Sequence, residues 1–213
     1  MVECMMNICT VKIAMFYEIM GIAAFVLYFL YDVNSVLWKN KILNTFFFAG
    51  TGILLIAAVG VFTEAAAGGF AAAADFPGYV RITAAVFLAV FLILLVYTLF
   101  FAVPFQKTYM TNTGIGNGQN KRRVCKMGMY ALCRHPGVLW FTGIFMCLWI
   151  EFPGGQTGIF SAEVCIMNVA YVVFQDKWTF TKVFCDYDTY KKEVPFLIPT
   201  VSSTMNCLKT MKG

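Results

Sequence analysis

The residues best suited to chemistry begin with a short stretch, residues 128–136, which holds the only histidine of the chain. Tyr130 and Arg134 are four residues apart, so a helix would place them on one face. Arg134 and His135 stand directly before Pro136 and an apolar segment, and ionisable residues beside such segments usually mark function or a partner. A guanidinium group there could pair with the carboxylate of a ligand. Alternatively, Arg134 anchors a helix end and His135 caps it.

A second stretch, residues 175–199, offers a carboxylate and phenols near the other end of an apolar segment. Asp176 could accept hydrogen bonds from an ammonium group or a ribose hydroxyl, or it could pair with a nearby lysine in solvent. Aromatic residues recur at helical spacing through this stretch, namely Phe180, Phe184, Tyr187 and Tyr190. The spacing predicts an amphipathic helix over residues 175–192 at the membrane interface. Together the two stretches could hold a small zwitterion.

The composition indicates a membrane protein. The 213 residues are 60% apolar and 13% charged, whereas soluble domains carry about 25% charged residues. The net charge of +5 comes from basic residues that flank apolar runs, which favours an effect on membrane topology over nucleic-acid binding. The eight cysteines form no Cys-x-x-Cys pair and one histidine is present, so we expect no metal site.

Five apolar segments are candidates to cross the bilayer, and they predict an all-α polytopic protein with a C-terminal helical hairpin. They are residues 13–31, 42–63, 82–105, 136–150 and 157–174. We expect a single membrane domain, 1–213, with three N-terminal helices (1–105), a basic loop with the Arg-His-Pro motif (106–135), and the hairpin with its tail (136–213). Three glycines of the second segment, Gly50, Gly52 and Gly60, predict close helix packing.

Basic residues predict the orientation of the chain in the membrane. Six Lys or Arg residues lie in 106–135 and six follow residue 175, but the loops 64–81 and 151–156 share one, Arg81. Five crossings with the N-terminus outside and the C-terminus in the cytoplasm satisfy this distribution. We expect a bacterial inner membrane or, as the alternative, an internal eukaryotic membrane.

The two chemical stretches together resemble a known family. Gly128-x-Tyr130-x-x-x-Arg134-His135-Pro136 precedes the predicted hairpin, and the tail Phe184-Cys-Asp-Tyr187-Asp-Thr-Tyr190-Lys-Lys-Glu-Val-Pro195 follows it. The pattern resembles the integral membrane methyltransferases related to isoprenylcysteine carboxyl methyltransferase and the bacterial phospholipid N-methyltransferases. The resemblance covers roughly residues 120–200.

The resemblance implies a helical enzyme that binds S-adenosylmethionine at the cytoplasmic membrane face and methylates a carboxylate, thiolate or amine of a lipophilic or prenylated substrate. The residues expected to bind the cofactor are Tyr130, Arg134, His135, Pro136, Gln175, Asp176, Tyr187 and Tyr190. Arg134, His135 and Asp176 would serve catalysis, and Trp140 and Trp149 would line the substrate site. The chain departs from the family pattern at Val138 and Trp140, where Tyr and Gly often stand, and Gln175-Asp176 retains one carboxylate of an acidic pair.

Two other functions stay open at the level of sequence. Membrane steroid and sterol reductases, which use NADPH, carry a similar Arg-His-Pro stretch, but Gly137-Val138 departs from the Asn-Tyr that typically follows it. A non-catalytic membrane protein that binds a lipid is the other alternative. The glycine-rich residues 113–118 follow no predicted strand, so we interpret them as a flexible loop rather than a nucleotide-binding turn.

Overall fold

The computed structural model describes residues 2–68, 70, 75–101 and 123–211, with side chains from residue 11 onward. These residues form helices and connecting turns with no β-strand, which confirms the all-α prediction. The helices are α1 (Val2–Val33), α2 (Phe46–Ala66), α3 (Gly78–Phe100), α4 (Met129–Leu132), α5 (Pro136–Glu151), α6 (Gly155–Phe174), α7 (Phe180–Val183), α8 (Tyr187–Glu193) and α9 (Val201–Met211). The predicted loop 106–127 lies outside the described residues up to position 122, as do residues 102–105 of the third segment.

Four helical segments of the described chain are long and apolar enough to cross a membrane: Val11–Trp38, Leu43–Ala66, Gly78–Phe100 and Gly155–Val183. The fourth predicted segment corresponds to α5, which is apolar but has 16 residues. At 1.5 Å per residue it is about 24 Å long, against about 30 Å of hydrocarbon core. Contact with lipid also explains why many large apolar side chains of α2 and α3 are exposed. The chain is therefore a polytopic membrane protein.

The chain divides into two compact units, and whether it forms the single predicted domain stays a prediction. The first unit comprises 1–88 and 143–171. Within it, α1 and α2 pack at two of the three predicted glycines. A Cβ added to Gly50 would lie 2.9 Å from the carbonyl oxygen of Ala24, and one added to Gly60 would clash with the ring of Tyr17. Gly52 has no atom within 4 Å of its Cβ position, so it has no part in this packing.

The second unit comprises 89–142 and 172–213, and its tail differs from the single amphipathic helix expected over 175–192. Helix α6 continues through a π-helical turn at 175–179 into α7, the backbone becomes extended at Phe184, and α8 begins at Tyr187. The break turns the aromatic residues inward. Tyr187, Tyr190 and Val194 are buried, with Phe180 and Phe184 packed against them. The aromatic stripe therefore forms a small protein core.

Candidate functional site

The first chemical stretch folds as one helical turn followed by a sharp change of direction. Gly128 begins it with φ of +59°, a conformation that glycine adopts without steric cost. After α4, Cys133 is extended, and Pro136 opens α5 at the first helical position, where its missing N–H costs nothing. The backbone N–H of Arg134 donates to the carbonyl of Pro195 at 2.9 Å. The short connection between α4 and α5 is thus joined to the tail through its backbone.

The side chain of Arg134 contacts both the π-helical turn and the tail. Its Nε donates to Oδ1 of Asp176 at 2.8 Å, and Nη2 donates to Oδ2 at 3.3 Å. Nη1 donates to the carbonyl oxygens of Lys191 at 3.1 Å and Val194 at 2.8 Å. An arginine has five N–H donors, and these bonds use all but one on Nη2. Both side chains of the ion pair are 10% exposed, so Arg134 and Asp176 form a buried bidentate pair.

Asp176 is the centre of a cluster in which four side chains surround one carboxylate. Besides Arg134, the hydroxyl of Tyr187 donates to Oδ1 at 2.7 Å. Lys191 Nζ lies 3.5 Å from Oδ2, and His135 Nε2 lies 3.6 Å from Oδ1. We call these five residues the Asp176 cluster. All of them belong to the second unit, so the two stretches identified in the sequence meet there.

His135 is the member of the cluster whose side chain buries a polar atom without a hydrogen-bond partner in the described chain. Its ring is stacked on Phe180 at 5.7 Å between centroids and meets the edge of Phe196 at 5.3 Å. The residue is 7% exposed, and Nε2 has no hydrogen-bond partner within the described chain. Burial lowers the pKa of His135, against the opposing effect of Asp176. The imidazole is therefore neutral at pH 7 and able to accept a proton.

The three tyrosines support the cluster rather than titrate within it. The hydroxyl of Tyr190 donates to the backbone carbonyl of Tyr130 at 2.7 Å, which ties α8 to α4. Burial raises the pKa of Tyr130 to about 12 and raises the pKa of Tyr187 and Tyr190 as well. These phenols stay protonated at neutral pH. Tyr187 and Tyr190 serve as hydrogen-bond donors, and none of the three acts as a base.

The remaining residues that the sequence predicted for the site do not belong to the Asp176 cluster. Pro136 is fully buried, and Gln175 begins the π-helical turn. The indole Nε1 of Trp140 donates to Thr98 Oγ1 at 3.0 Å, so this side chain is fixed within the second unit. Trp149 belongs to the first unit, where it packs edge-on against Phe76 at 5.6 Å. Their roles as walls of a substrate site stay predictions.

No protein-family model, curated protein or solved structure matches the chain. What the site does must therefore be argued from its own geometry and chemistry. In the described ranges, no group of three or more His, Cys, Asp or Glu side chains is placed to hold a metal ion.

Two members of the site were not identified from the sequence. Lys191 is four residues after Tyr187, which puts both on one face of α8, and its Nζ lies 5.3 Å from the centre of that ring. This spacing was visible and could have revealed it. Phe196 follows Pro195 in an irregular segment, and its packing against His135 and Arg134 has no periodic signature.

Two shallow apolar hollows contain no residue of the cluster. One, of about 370 Å³, is lined by Leu92, Ile93, Val96, Tyr97 and Phe101, and the other, of about 410 Å³, by Tyr17, Leu55, Ile56, Val59 and Gly60. Neither hollow is lined by a charged side chain that could pair with a zwitterion, so we place the candidate site at the Asp176 cluster.

Proposed function

We propose that the protein is an S-adenosylmethionine-dependent methyltransferase that acts on a lipophilic substrate at the membrane surface. The observation that supports this proposal is the meeting of the Arg-His-Pro stretch with Asp176, Tyr187 and Lys191 in one buried polar cluster. Polar clusters at the ends of apolar helices are costly, and they usually have a function. The family resemblance predicted that these two stretches would act together.

The cluster fits the charged end of such a cofactor through fewer residues than the sequence predicted. Lys191 is the more available cation, because its side chain is 27% exposed and its Nζ is 3.5 Å from Asp176. Arg134 has one N–H left, so it mainly holds Asp176 in place. We therefore assign the carboxylate of the cofactor to Lys191 and its ammonium group to Asp176.

When bound, the cofactor would supply an electrophilic methyl group to the substrate. A carboxylate or thiolate needs no base to attack it, and alignment of the two reactants would give most of the rate gain. An amine substrate must lose a proton. Among the residues of the cluster, His135 is the one that could accept it, because its imidazole is neutral and its Nε2 unpaired.

The test is binding of S-adenosylmethionine and S-adenosylhomocysteine to the full chain in nanodiscs, measured by calorimetry. We expect binding by the wild type, at least tenfold weaker binding for Lys191→Gln, and no change for Lys192→Gln, an exposed lysine next to it on the same helix. Transfer of labelled methyl groups to a lipid extract should follow the same order. NADPH binding without binding of either sulfur ligand would instead support a reductase.

One observation favours a second candidate, a membrane protein that keeps this architecture without catalysis. Arg134 uses four N–H groups inside the protein, as a purely structural residue would. Under this alternative, S-adenosylmethionine, S-adenosylhomocysteine and NADPH all fail to bind. Arg134→Lys still lowers the melting temperature, because lysine cannot reproduce the bidentate pair with Asp176. Methyl transfer from S-adenosylmethionine to a lipid by the wild type would rule it out.

A further inference from the structure

Helix α9 (Val201–Met211) has a packed face and an opposite apolar face that the protein does not cover. Ser203 and Cys207 are buried on the packed face. The opposite face carries Val201, Met205 and Leu208, which are 81%, 52% and 58% exposed, and Ile198 just before the helix is 82% exposed. The spacing of four and then three residues puts the three helical side chains in one stripe. We call Ile198, Val201, Met205 and Leu208 the apolar stripe.

The packed face attaches α9 firmly to α4. Cys207 packs with Met129 and Ala131, and the hydroxyl of Thr210 accepts the backbone N–H of Gly128 at 3.0 Å. Tyr190 holds α4 by a second contact, through the carbonyl of Tyr130. Helix α4 therefore joins α9 to the tail that carries the Asp176 cluster.

The neighbours of α9 place it at the level where membrane helices end. Leu94 and Tyr97, in the last two turns of α3, and Trp140, early in α5, pack against the same small core as Cys207. Beyond that core, α3 exposes Ile93, Val96, Leu99 and Phe100, as expected for a lipid-facing surface. The apolar stripe thus stands close to the edge of a surface that already faces hydrocarbon.

We propose that α9 lies in the membrane interface, with its apolar stripe inserted among the lipid acyl chains, and that it fixes α4 and the Asp176 cluster at the lipid surface. Of its other exposed residues, Ser202, Thr204, Asn206 and Lys209 are polar or basic, and Met211 at the end of the helix is apolar. This is the pattern of a helix that lies along a bilayer, with a lysine next to the head groups. Continuity with α3 favours the bilayer over a protein partner, and the inference is independent of the proposed function.

The direct test places a photo-crosslinking residue, p-benzoylphenylalanine, at position 205 or 206 of the full chain in nanodiscs of phosphatidylcholine and phosphatidylglycerol. Met205 lies in the apolar stripe, and Asn206 points about 100° away on the polar side. After irradiation, mass spectrometry should find roughly tenfold more lipid adduct at position 205 than at position 206. Equal adducts at both positions, or none at 205, would overturn the proposal, and so would crosslinks between copies of the chain at 205.

A second measurement uses natural side chains. Val201→Asp puts a charge in the stripe, and Ser202→Asp puts the same charge next to it on the polar side. In nanodiscs, the first variant should detach α9 and speed tryptic cleavage after Lys209 by roughly tenfold, because stable packing no longer protects the site. The second variant should be cleaved at the wild-type rate. Equal cleavage rates in the wild type and both variants would contradict the insertion of α9 in the membrane interface.

Discussion

The Arg134–Asp176 pair shows how one buried interaction can hold three segments at once. Arg134 contacts the π-helical turn through Asp176 and the tail through two backbone carbonyls. Removing one partner of a buried ion pair leaves an uncompensated charge, which costs about 3–5 kcal/mol. We therefore expect Asp176→Asn to lower the free energy of unfolding by about that amount, as measured by thermal unfolding in detergent.

Glu193→Gln is the matched control for that variant. Glu193 also pairs with a cation, Lys126, at 2.7 Å, but its side chain is 51% exposed. Exposed pairs contribute about 0–1 kcal/mol, so this variant should melt close to the wild type. Equal melting temperatures for both variants would mean that the Arg134–Asp176 pair is not buried in the protein in solution.

His135 should make stability depend on pH in a known direction. Burial lowers its pKa in the folded protein below the usual 6.5. Between the lowered value and 6.5, only the unfolded chain binds the proton, so the free energy of unfolding falls as pH drops below 6.5. The loss is at most about 1.4 kcal/mol per pH unit. Melting temperatures from pH 7.5 to 5.5 should therefore fall more steeply for the wild type than for His135→Gln; parallel curves would contradict a lowered pKa.

For single residues, the sequence predicted most of the side chains of the Asp176 cluster but not which groups they contact. Arg134, His135, Asp176 and Tyr187 do lie in one cluster, whereas the hydroxyl of Tyr190 contacts the backbone of Tyr130 instead. However, the predicted contact of Arg134 and Asp176 with a ligand stays a prediction, and the sequence did not reveal that these two side chains contact each other. The carbonyl oxygens of Lys191 and Val194 determine which N–H groups of Arg134 remain available to a ligand. Every residue has a backbone carbonyl, so residue types do not reveal partners of this kind.

Among the elements, the contact between α1 and α2 can be tested with two glycines two residues apart. A methyl group on Gly50 would press on the Ala24 carbonyl at 2.9 Å and the Tyr28 ring at 3.1 Å, but one on Gly52 would meet open space. Overpacking usually costs about 1–3 kcal/mol, whereas alanine is favoured over glycine in a helix by about 1 kcal/mol. We expect Gly50→Ala to lower the melting temperature and Gly52→Ala to keep or raise it. The reverse order would disprove this packing.

Helices α1 and α6 meet at the side chain of Glu163, which we expect to destabilise their contact. Oε1 of Glu163 is buried, has no hydrogen-bond partner in the described chain, and lies 3.0 Å from the Cβ position of Gly21. Glu18 on α1 is close enough to repel it. A buried charge without a partner costs more than a buried amide, so Glu163→Gln should raise the melting temperature. Glu64→Gln, near the end of α2, serves as the control, and a lower value for Glu163→Gln alone would show that the carboxylate has a stabilising partner.

The long helices could be predicted because run length and hydropathy alone determine them. The tail could not. Its aromatic spacing fits one continuous helix, yet packing of Tyr187 and Tyr190 and the bond from the Val124 N–H to Asp186 Oδ1 at 2.9 Å favour a break at Phe184. Helix α9 was missed because its 11 residues are mostly polar and its packing depends on α4, far away in sequence. Short elements held by tertiary contacts escape analysis of local patterns.

For the whole molecule, the number of membrane crossings depends on α5. Four segments of the described residues are long enough to cross, and α5 is about 24 Å long, several ångströms short of the hydrocarbon core. A short apolar helix can still cross where the bilayer thins or flanking residues extend to the head groups. If α5 crosses, the chain crosses five times and its termini lie on opposite sides; if it does not, they lie on the same side.

We expect opposite sides, with the C-terminus in the cytoplasm, because twelve of the sixteen basic residues lie in 106–135 or after residue 175. In bacterial cells, a fluorescent protein fused to the C-terminus should therefore fluoresce, and alkaline phosphatase fused there should be inactive. The same pair of reporters at the N-terminus should give the opposite result. Fluorescence at both termini would mean that α5 does not cross, and the Asp176 cluster would then need a different position in the membrane, since Arg134 and His135 stand directly before that helix.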